Sequence, residues 1–279
     1  MMVIAWKLSI KSSLRSTIFK RKWGENIGKI ANHLGEVKNN TFGTAMKIIR
    51  YGGCDDIDVE FLDEHRYIKE HQSYVNFKSG SIKNPYDKSK YGIGYIGVGK
   101  HRAKVNGQYN YIYDVWADMI NRCYHSKDRF SAYYGTCTVC EEWLNFQVFA
   151  DWYEAHEYPV NERLHLDKDI LFAGNKEYAP KKCMLVPQRL NMMFMNKPNK
   201  RGLPNGIIEH PKGYLAKYSH KDLGVYTTVE EAYRTYTDKK KEAIIELANE
   251  YKGIIPQDVY DAIVAYEFDI HNDKNYKVA

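Results

Sequence analysis

Imidazole and carboxylate side chains alternate with apolar ones over residues 163–170, RLHLDKDI. A β-strand here would turn three apolar residues to one face, Leu164, Leu166 and Ile170. It would turn three possible metal ligands to the other face, His165, Asp167 and Asp169. Two carboxylates two residues apart on a strand edge can share one hard divalent cation such as Mg²⁺. The alternative is an ordinary strand with a solvated polar face.

Four cysteines are spaced so that they could hold a structural Zn²⁺ ion. Cys137 and Cys140 flank a two-residue turn, while Cys123 and Cys183 lie on either side of it in the chain. Four thiolates arranged as a tetrahedron around the ion would connect helix, loop and sheet. His125 is a possible substitute for one of the thiolates. The alternative is a set of buried free thiols in a reduced protein.

The composition favours a protein that binds a polyanion and has no membrane partner. Mean hydropathy is −0.59, and no apolar run reaches the length of a membrane span. Five cysteines, an odd number, fit a reducing cytoplasm better than a secreted disulfide framework. Residues 1–33 carry seven Lys or Arg against one Glu, and residues 181–241 carry 13 against five acidic residues. Two separated basic segments are typical of a protein that holds nucleic acid at two places.

The N-terminal part of the chain predicts a basic arm, residues 1–33, followed by a small β-rich module, residues 34–105. Three segments of the module, MKIIRY, DIDVEFL and SYVNF, have the composition of short strands between turns. The module ends on a glycine run whose spacing does not match a phosphate-binding fingerprint. We expect that run to lie close to another backbone as a linker or twisted strand. Its glycines are Gly92, Gly94, Gly97 and Gly99.

Residues 106–198 predict two helices, two strands and a short helix, in that order. The first helix, residues 111–124, has an apolar stripe made of Ile112, Trp116, Met119 and Cys123. The second, within residues 141–155, turns inward Trp143, Phe146, Ala150 and Tyr153. The strands are expected at residues 163–170 and 183–187, and the last helix from residue 188 to about residue 195.

Residues 199–279 predict a small sheet packed on one long helix. Turns at Asn205-Gly206 and Lys212-Gly213 separate short strands. Thr228 and Glu231 have the spacing of a capping box at the start of the helix, and Gly253 marks its end.

The segment from Asp114 to Asn191 resembles the HNH, or ββα-metal, endonucleases of phages and mobile introns. The shared pattern is Trp-x-x-Met-x-x-Arg-Cys, Val-Cys-x-x-Trp-x-x-Phe, an acidic strand, Gly-Asn and a return strand that contains Cys. In this chain the pattern is carried by Trp116, Met119, Arg122, Cys123, Val139, Cys140, Trp143, Phe146, Asp167, Gly174, Asn175, Lys176, Cys183 and Asn191.

The resemblance implies that an aspartate and an asparagine hold one Mg²⁺ or Mn²⁺ ion against the scissile phosphate, while a histidine activates water. Asp167 matches the metal-binding aspartate. Lys168 occupies the place of the usual general-base histidine, and Lys182 that of the usual metal-binding asparagine. A lysine ammonium neither binds a cation nor accepts a proton at neutral pH.

Two interpretations of these departures stay open. In a relocated site, His165 is the base, and Asp169 or Asn175 completes the metal shell of Asp167. In a catalytically inactive descendant, the fold binds double-stranded DNA without cutting it, and its lysines hold phosphate groups. The candidate DNA contacts around this segment are Lys168, Lys176, Lys181, Lys182, Arg189, Asn191, Lys200 and Arg201.

Residues 204–244 are similar to the DNA-binding domain of the ethylene-response-factor type, a three-stranded sheet backed by a helix. The likeness is carried by Gly206-Ile207, Tyr214-Leu215-Ala216, Leu223-Gly224-Val225-Tyr226 and Thr228-Val229-Glu230-Glu231-Ala232. It implies that the sheet enters the major groove of DNA. The contacts implied for the sheet are Lys212, Tyr214, Lys217, Tyr218 and His220.

The sequence therefore predicts a modular α+β chain with an HNH-like ββα-metal core at residues 106–198 and a DNA-binding domain at residues 199–279. The leading hypothesis is a metal-dependent, homing-type DNA endonuclease that acts in the cytoplasm of the host cell of a phage or mobile element. The alternatives are a non-cleaving DNA-binding protein and a zinc-stapled RNA-binding protein, the latter suggested by aromatic side chains and basic patches. The oligomeric state is left open.

Overall fold

The computed structural model describes residues 32–125, 127 and 133–276, and it divides into two compact units, Met1–Asn84 and Pro85–Ala279. The fold is α+β, as predicted, with several small sheets and separate helices. Residues 1–31, most of the predicted basic arm, lie outside the described residues. Within the described part, no helix is long and apolar enough to cross a bilayer.

The first unit is a four-stranded antiparallel sheet with one short helix. The strands pair in chain order, β1 to β4, and their alternating apolar residues pack into a single small core. The alternation predicted for Ile57, Val59 and Phe61 is confirmed, because all three side chains are fully buried. The elements are β1 (Val37–Asn39), β2 (Ala45–Gly53), β3 (Asp56–Phe61), β4 (Ile68–Gln72) and α1 (Tyr74–Ser79).

The segment SYVNF, expected as a strand, instead forms helix α1. Ser73 caps its N-terminus by accepting a hydrogen bond from the Asn76 amide, and Gly80 ends it in the left-handed conformation, with φ of 73°. Local capping therefore overrides the β propensity of Tyr74 and Val75. Phe77 of this helix is fully buried and Tyr74 is partly buried, and both pack on the core of the sheet.

The second unit contains the predicted order of helices and strands, and it adds a helix near the C-terminus. Its helices are α2 (Tyr111–Tyr124), α3 (Phe146–His156), α4 (Gln188–Met193), α5 (Val229–Glu250) and α6 (Gln257–Ala265), with 3₁₀ turns at Glu141–Leu144 and Ile270–Asn272. Its strands are β5 (Lys104–Val105), β6 (Gln108–Tyr109), β7 (Thr138–Val139), β8 (Leu164–Asp167), β9 (Glu177–Tyr178), β10 (Met184–Pro187), β11 (Ile207–His210), β12 (Gly213–Tyr218) and β13 (Lys221–Tyr226).

The antiparallel hairpin of β8 and β10 lies between two hydrophobic cores. Leu164 and Leu185 belong to the first core, formed with α2 and α3. Met184 and Val186 belong to the second core, formed with α4, α5 and α6. Because successive residues of a strand point to opposite faces, each strand contributes to both cores or their margins.

Helix α5 joins the C-terminal sheet to this hairpin. Near its N-terminus, Ala232 and Tyr233 pack on the three-stranded antiparallel sheet β11-β12-β13. Near its C-terminus, Ile244 and Ala248 pack in the second core beside the hairpin. The capping box of Thr228 and Glu231 is confirmed by both of its hydrogen bonds. The two predicted domains, residues 106–198 and 199–279, thus both contribute side chains to the second core.

The glycine run packs against α2 and α3, so residues 85–105 belong to the second unit and not with the β-rich module assigned to residues 34–105. A Cβ added at Gly94 would lie 2.5 Å from Ile120 Cδ1 and 2.7 Å from Trp116 Cζ2, and one at Gly97 would lie 2.2 Å from Asn145 Oδ1. The expected close approach to another backbone is confirmed, because the Tyr95 amide donates to the Leu144 carbonyl at 2.9 Å and the Tyr95 carbonyl accepts from the Phe146 amide at 3.0 Å. Glycine is required because a Cβ at either position would force the side chain of Trp116, Ile120 or Asn145 to shift.

We predict that Gly94→Ala lowers the free energy of unfolding by about 1–3 kcal/mol, because its methyl group overpacks Trp116 and Ile120. Val98→Ala, at an exposed position of the same segment, is the control, with an expected change within about 0.5 kcal/mol. Urea unfolding followed by tryptophan fluorescence measures both. Equal stability of the two variants would contradict this account of the glycine run.

Candidate active site

The first strand of the hairpin ends at Asp167, which is earlier than the sequence predicts. Asp167 Oδ1 accepts hydrogen bonds from the backbone amides of Asp169 and Ile170, at 2.8 and 2.7 Å. These bonds form an Asx-type turn that carries the chain out of the strand. The expected strand at residues 163–170 is therefore only Leu164–Asp167. Asp169 does not continue the line of ligands, and Ile170 packs in the second core, not with Leu164.

His165 and Asp167 share one face of the hairpin, as predicted. They pair across the hairpin with Val186 and Met184, whose side chains lie in the second core. Helix α4 follows β10 directly and places Asn191 beside the imidazole, with 3.1 Å between Asn191 Nδ2 and His165 Nδ1. The structure thus brings together His165, Asp167 and Asn191 on a strand, strand, helix unit.

Burial raises the pKa of Asp167 to about 6, and the neighbouring Asp169 adds to the shift against the two amide hydrogen bonds. Burial also lowers the pKa of His165, helped by the nearby guanidinium groups of Arg122 and Arg163. At pH 7 the carboxyl is mostly ionised and the imidazole is neutral. This pairing of protonation states is the one required of a metal-binding carboxylate and a proton-accepting histidine.

Lys168 is a structural cation and not a general base. Its side chain is only 5% exposed, and Nζ donates to Asp169 Oδ1 at 2.7 Å and to the Asn175 carbonyl. Burial by itself would lower the pKa of Lys168, but the ion pair with Asp169 outweighs it and the pKa is raised. The lysine is therefore protonated at neutral pH, and it occupies Asp169, one of the two carboxylates expected to bind metal.

Asn175 organises the loop between the strands through hydrogen bonds to its neighbours. Its Nδ2 donates to the carbonyls of Lys168 and Glu177, at 2.9 and 2.8 Å, and its Oδ1 accepts from the Glu177 amide. Its Oδ1 accepts one hydrogen bond and keeps a second lone pair, so a role in a metal shell stays a prediction.

The basic candidates around the loop are mostly on the surface. Lys182 pairs with Glu177 at 2.6 Å, and Arg189 pairs with Glu250 at 3.1 Å. Exposed pairs of this kind are weak and can exchange an acidic partner for a phosphate group. The exposed members of the set are Lys176, Lys181, Lys182, Arg189, Lys200 and Arg201.

The four cysteines lie around the first core but do not form one group. Cys123, Cys137 and Cys183 are buried in that core, and Cys140 packs at its edge. Among the described residues, no three of these sulfur atoms lie within 4.8 Å of one another. Burial raises the pKa values of Cys123 and Cys183 to about 12. In this structure the cysteine turn is joined to the hairpin loop by the parallel pairing of β7 with β9.

Two other clusters of metal-type ligands were not predicted from the sequence, because in each a histidine far along the chain joins two nearby carboxylates. Asp56, Asp58 and His71 form one in the first unit, and His101, Asp151 and Glu154 form the other in the second. In each cluster a carboxylate already forms an ion pair with a neighbouring basic side chain. Arg50 lies 2.6 Å from Asp56, and Lys100 lies 2.8 Å from Glu154. Their geometry is that of ion-pair networks.

The C-terminal sheet turns its candidate DNA contacts to two different faces. Tyr214 packs against the core under α5, and the Tyr218 ring lies 6.0 Å from that of Tyr236 on the same helix. These two tyrosines therefore do not share the open face with Lys217. Lys217 pairs with Asp222 at 3.2 Å on that open face. Lys212 and His220 are exposed in the turns at the two ends of β12.

A hard divalent cation would be held chiefly by Asp167. Its Oδ1 is used by the turn, which leaves Oδ2 as the oxygen available to a ligand. Asp169, 43% exposed, retains its second oxygen beyond the ion pair with Lys168. Such an ion commonly keeps several waters and takes one or two protein carboxylates together with substrate phosphate oxygens. The carboxylates of Asp167 and Asp169 fit Mg²⁺ or Mn²⁺ when water and substrate phosphate oxygens supply the other ligands.

Comparisons of the chain with protein-family models, with curated proteins and with solved structures found no match in any of the three.

We predict that Lys168→Met lowers the free energy of unfolding by about 1–3 kcal/mol, because the partly buried Asn175 carbonyl and Asp169 lose their shared donor. Lys182→Met is the matched control, since its pair with Glu177 is exposed and is expected to contribute less than about 1 kcal/mol. Chemical unfolding at pH 7 compares them. A tolerated Lys168→Met would show that the lysine does not hold the loop.

We predict that Asp167→Asn stabilises the protein at pH 7 but not at pH 4. The folded-state pKa of about 6 exceeds the ordinary value of 3.8, so stability falls as pH rises between these values. The amide keeps the oxygen that accepts the turn hydrogen bonds and never ionises. The gain approaches an upper limit of about 3 kcal/mol, reduced by the partial exposure of the side chain. Urea unfolding in EDTA at both pH values measures it, and a gain independent of pH would contradict the assignment.

Proposed function

We propose that the chain is a metal-dependent endonuclease of the HNH type that hydrolyses phosphodiester bonds of double-stranded DNA. The observation that carries the proposal is the neutral His165 beside Asn191, two residues from the ionisable Asp167, on one face of a strand, strand, helix unit. The basic surface around the hairpin loop supplies groups that bind the DNA backbone.

In this proposal His165 accepts the proton of the attacking water. The water oxygen bonds to phosphorus, the bond from phosphorus to the leaving sugar oxygen breaks, and solvent protonates that oxygen. A divalent cation bound at Asp167 would supply stabilisation of the negative charge on the phosphate. Lys168 serves the reaction indirectly, because it fixes the turn that follows Asp167.

Asn191 sets which imidazole nitrogen accepts the proton. If its Nδ2 donates to His165 Nδ1, the neutral ring carries its proton on Nε2. If the isosteric amide is turned to present Oδ1, Nδ1 carries the proton and Nε2 is the free base. General-base catalysis through Nε2 requires the second orientation. Asn191 is in this proposal a positioning residue for His165.

A second candidate, a DNA-binding protein that does not cut, is favoured by a different observation. Lys168 forms an ion pair with Asp169, and Asn175 forms hydrogen bonds within the loop. Among the described residues, Asp167 is then the one carboxylate of this site without a basic partner to compete with a cation. The exposed lysines and arginines would still hold DNA in that case. The two candidates share a ligand and differ in whether the DNA backbone is broken.

A supercoiled plasmid at pH 7.5 with Mg²⁺ or Mn²⁺ tests the proposal. We expect nicking by the wild-type chain and a loss of at least about 100-fold in rate for Asp167→Asn and for His165→Ala. Asp238→Asn, an exposed carboxylate on α5, is the control and should cut at the wild-type rate. Gel electrophoresis measures the rates, and a gel shift in EDTA checks that all variants still bind DNA.

Absence of nicking with either ion, together with retained DNA binding, would replace the endonuclease by the non-cleaving protein. Equal nicking by the wild type and Asp167→Asn would place any cleavage outside this site.

A further inference from the structure

A basic segment on the surface of the second unit has no role in the proposed nuclease site. Residues 88–113 contain five Lys or Arg and no Asp or Glu. Five tyrosines lie in the same segment, Tyr91, Tyr95, Tyr109, Tyr111 and Tyr113. Positive charge interleaved with aromatic rings is the composition of surfaces that hold both phosphates and bases.

The fold arranges part of this segment into a row of rings and ammonium groups, which we call the aromatic row: Tyr91, Tyr109, Tyr113, His125, Lys90 and Lys104. Tyr109 stacks on Tyr113, with ring centroids 5.1 Å apart and planes at 10°. Tyr91 stacks on His125 at 4.2 Å and 20°. Lys90 Nζ lies 4.7 Å from the Tyr91 centroid and 5.3 Å from that of Tyr113, so it connects the two stacks.

The stack of Tyr109 on Tyr113 is carried by regular secondary structure. Tyr113 lies on α2, and its ring centroid is 5.5 Å from that of the buried Trp116 and 5.4 Å from that of the buried Phe146. Tyr109 lies on β6, directly opposite Lys104 on β5, in a hairpin whose turn is Asn106-Gly107. Both turn residues have positive φ, 52° and 81°, as expected for a two-residue hairpin turn of type I′. A preformed surface loses little entropy when it binds a ligand.

The rings that end the stacks remain open to solvent. Tyr109 is 54% exposed and Tyr91 is 36% exposed, although each has one stacking partner. Lys104 Nζ lies 4.4 Å from the Tyr109 centroid. A flexible lysine can leave the ring for a phosphate group, and the ring can then stack on a base. The row therefore offers two stacking sites with an ammonium beside each.

We propose that the aromatic row binds a single strand of nucleic acid, with two unpaired bases stacked on Tyr91 and Tyr109 and neighbouring phosphates held by Lys90 and Lys104. Base pairs in a duplex already stack on one another, so their π faces are not available to these rings. Lys100 of this segment is paired with Asp151 and Glu154, whereas Lys90 and Lys104 lie over tyrosine rings and form no ion pair among the described residues. An apolar protein partner would not match these two ammonium groups. The inference does not depend on the nuclease proposal.

Fluorescence anisotropy with the full chain, in EDTA at fixed salt, tests this. The probes are labelled dT12, an abasic strand of the same length, rU12 and a 12-base-pair duplex. We expect dT12 or rU12 to bind at least about 10-fold more tightly than the abasic strand. Tyr109→Ala should weaken single-strand binding about 10-fold, Tyr109→Trp should preserve it, and duplex binding should change less than twofold. Tyr260→Ala is the control, because that tyrosine also carries a lysine over its ring, at 5.9 Å, but lies on α6.

Tighter binding of either dT12 or rU12 supports the proposal and identifies the preferred sugar. Equal affinity for dT12 and the abasic strand would overturn it, and so would unchanged single-strand binding by Tyr109→Ala. An equal loss of duplex binding in Tyr109→Ala would also overturn it, since the row would then contact paired DNA. Failure of plasmid nicking bears only on the endonuclease, because these measurements need no cleavage.

Discussion

The placement of the β8–β10 hairpin between two hydrophobic cores is the constraint on which the candidate site depends. Leu164 and Leu185 must enter one core while Met184 and Val186 enter the other. A shift of one residue in the strand pairing would turn these apolar side chains away from the cores in which they pack. The same alternation fixes the face on which His165 and Asp167 lie. Packing energy therefore determines the geometry of two residues that contribute little to that packing.

Burial at this position also sets the electrostatics of the site. The cores shield Asp167 and His165 from part of the solvent, and this desolvation raises the pKa of the carboxyl and lowers that of the imidazole. Such a carboxyl is a destabilising group unless it binds a proton or a cation. Ionisable residues that lower the stability of the folded state are common at sites where a protein binds a ligand. The buried Lys168 has the opposite role, because it satisfies the backbone and Asp169 within the loop.

Helix α5 makes the C-terminal sheet and the hairpin parts of one compact unit. Its N-terminal half covers the sheet, and its C-terminal half closes the second core. At about 1.5 Å per residue, its 22 residues extend for about 33 Å. In the proposed function, the spacing between the sheet and the hairpin on DNA is thus set by a helix and not by a flexible linker. The Pro-, Asn- and Gly-rich segment before the sheet joins two parts that share a core.

The sequence by itself determined the local elements of this protein, because their causes are local. The apolar stripe of α2, the capping box at Thr228 and the alternation of β3 are patterns of neighbouring residues, and each is found in the structure. The fold class and the shared face of His165 and Asp167 followed from the same patterns. Only the tertiary structure decided which groups meet and which are used elsewhere. The turn at Asp167 removed Asp169 from the strand, Asn175 was committed to its loop, and Tyr214 and Tyr218 faced α5. The turn at Asp167 and the loop bonds of Asn175 are local, but alternation along a strand does not encode which polar side chain turns back onto its own backbone. The contacts of Tyr214 and Tyr218 depend on packing between segments that are distant in the chain, which no local spacing encodes.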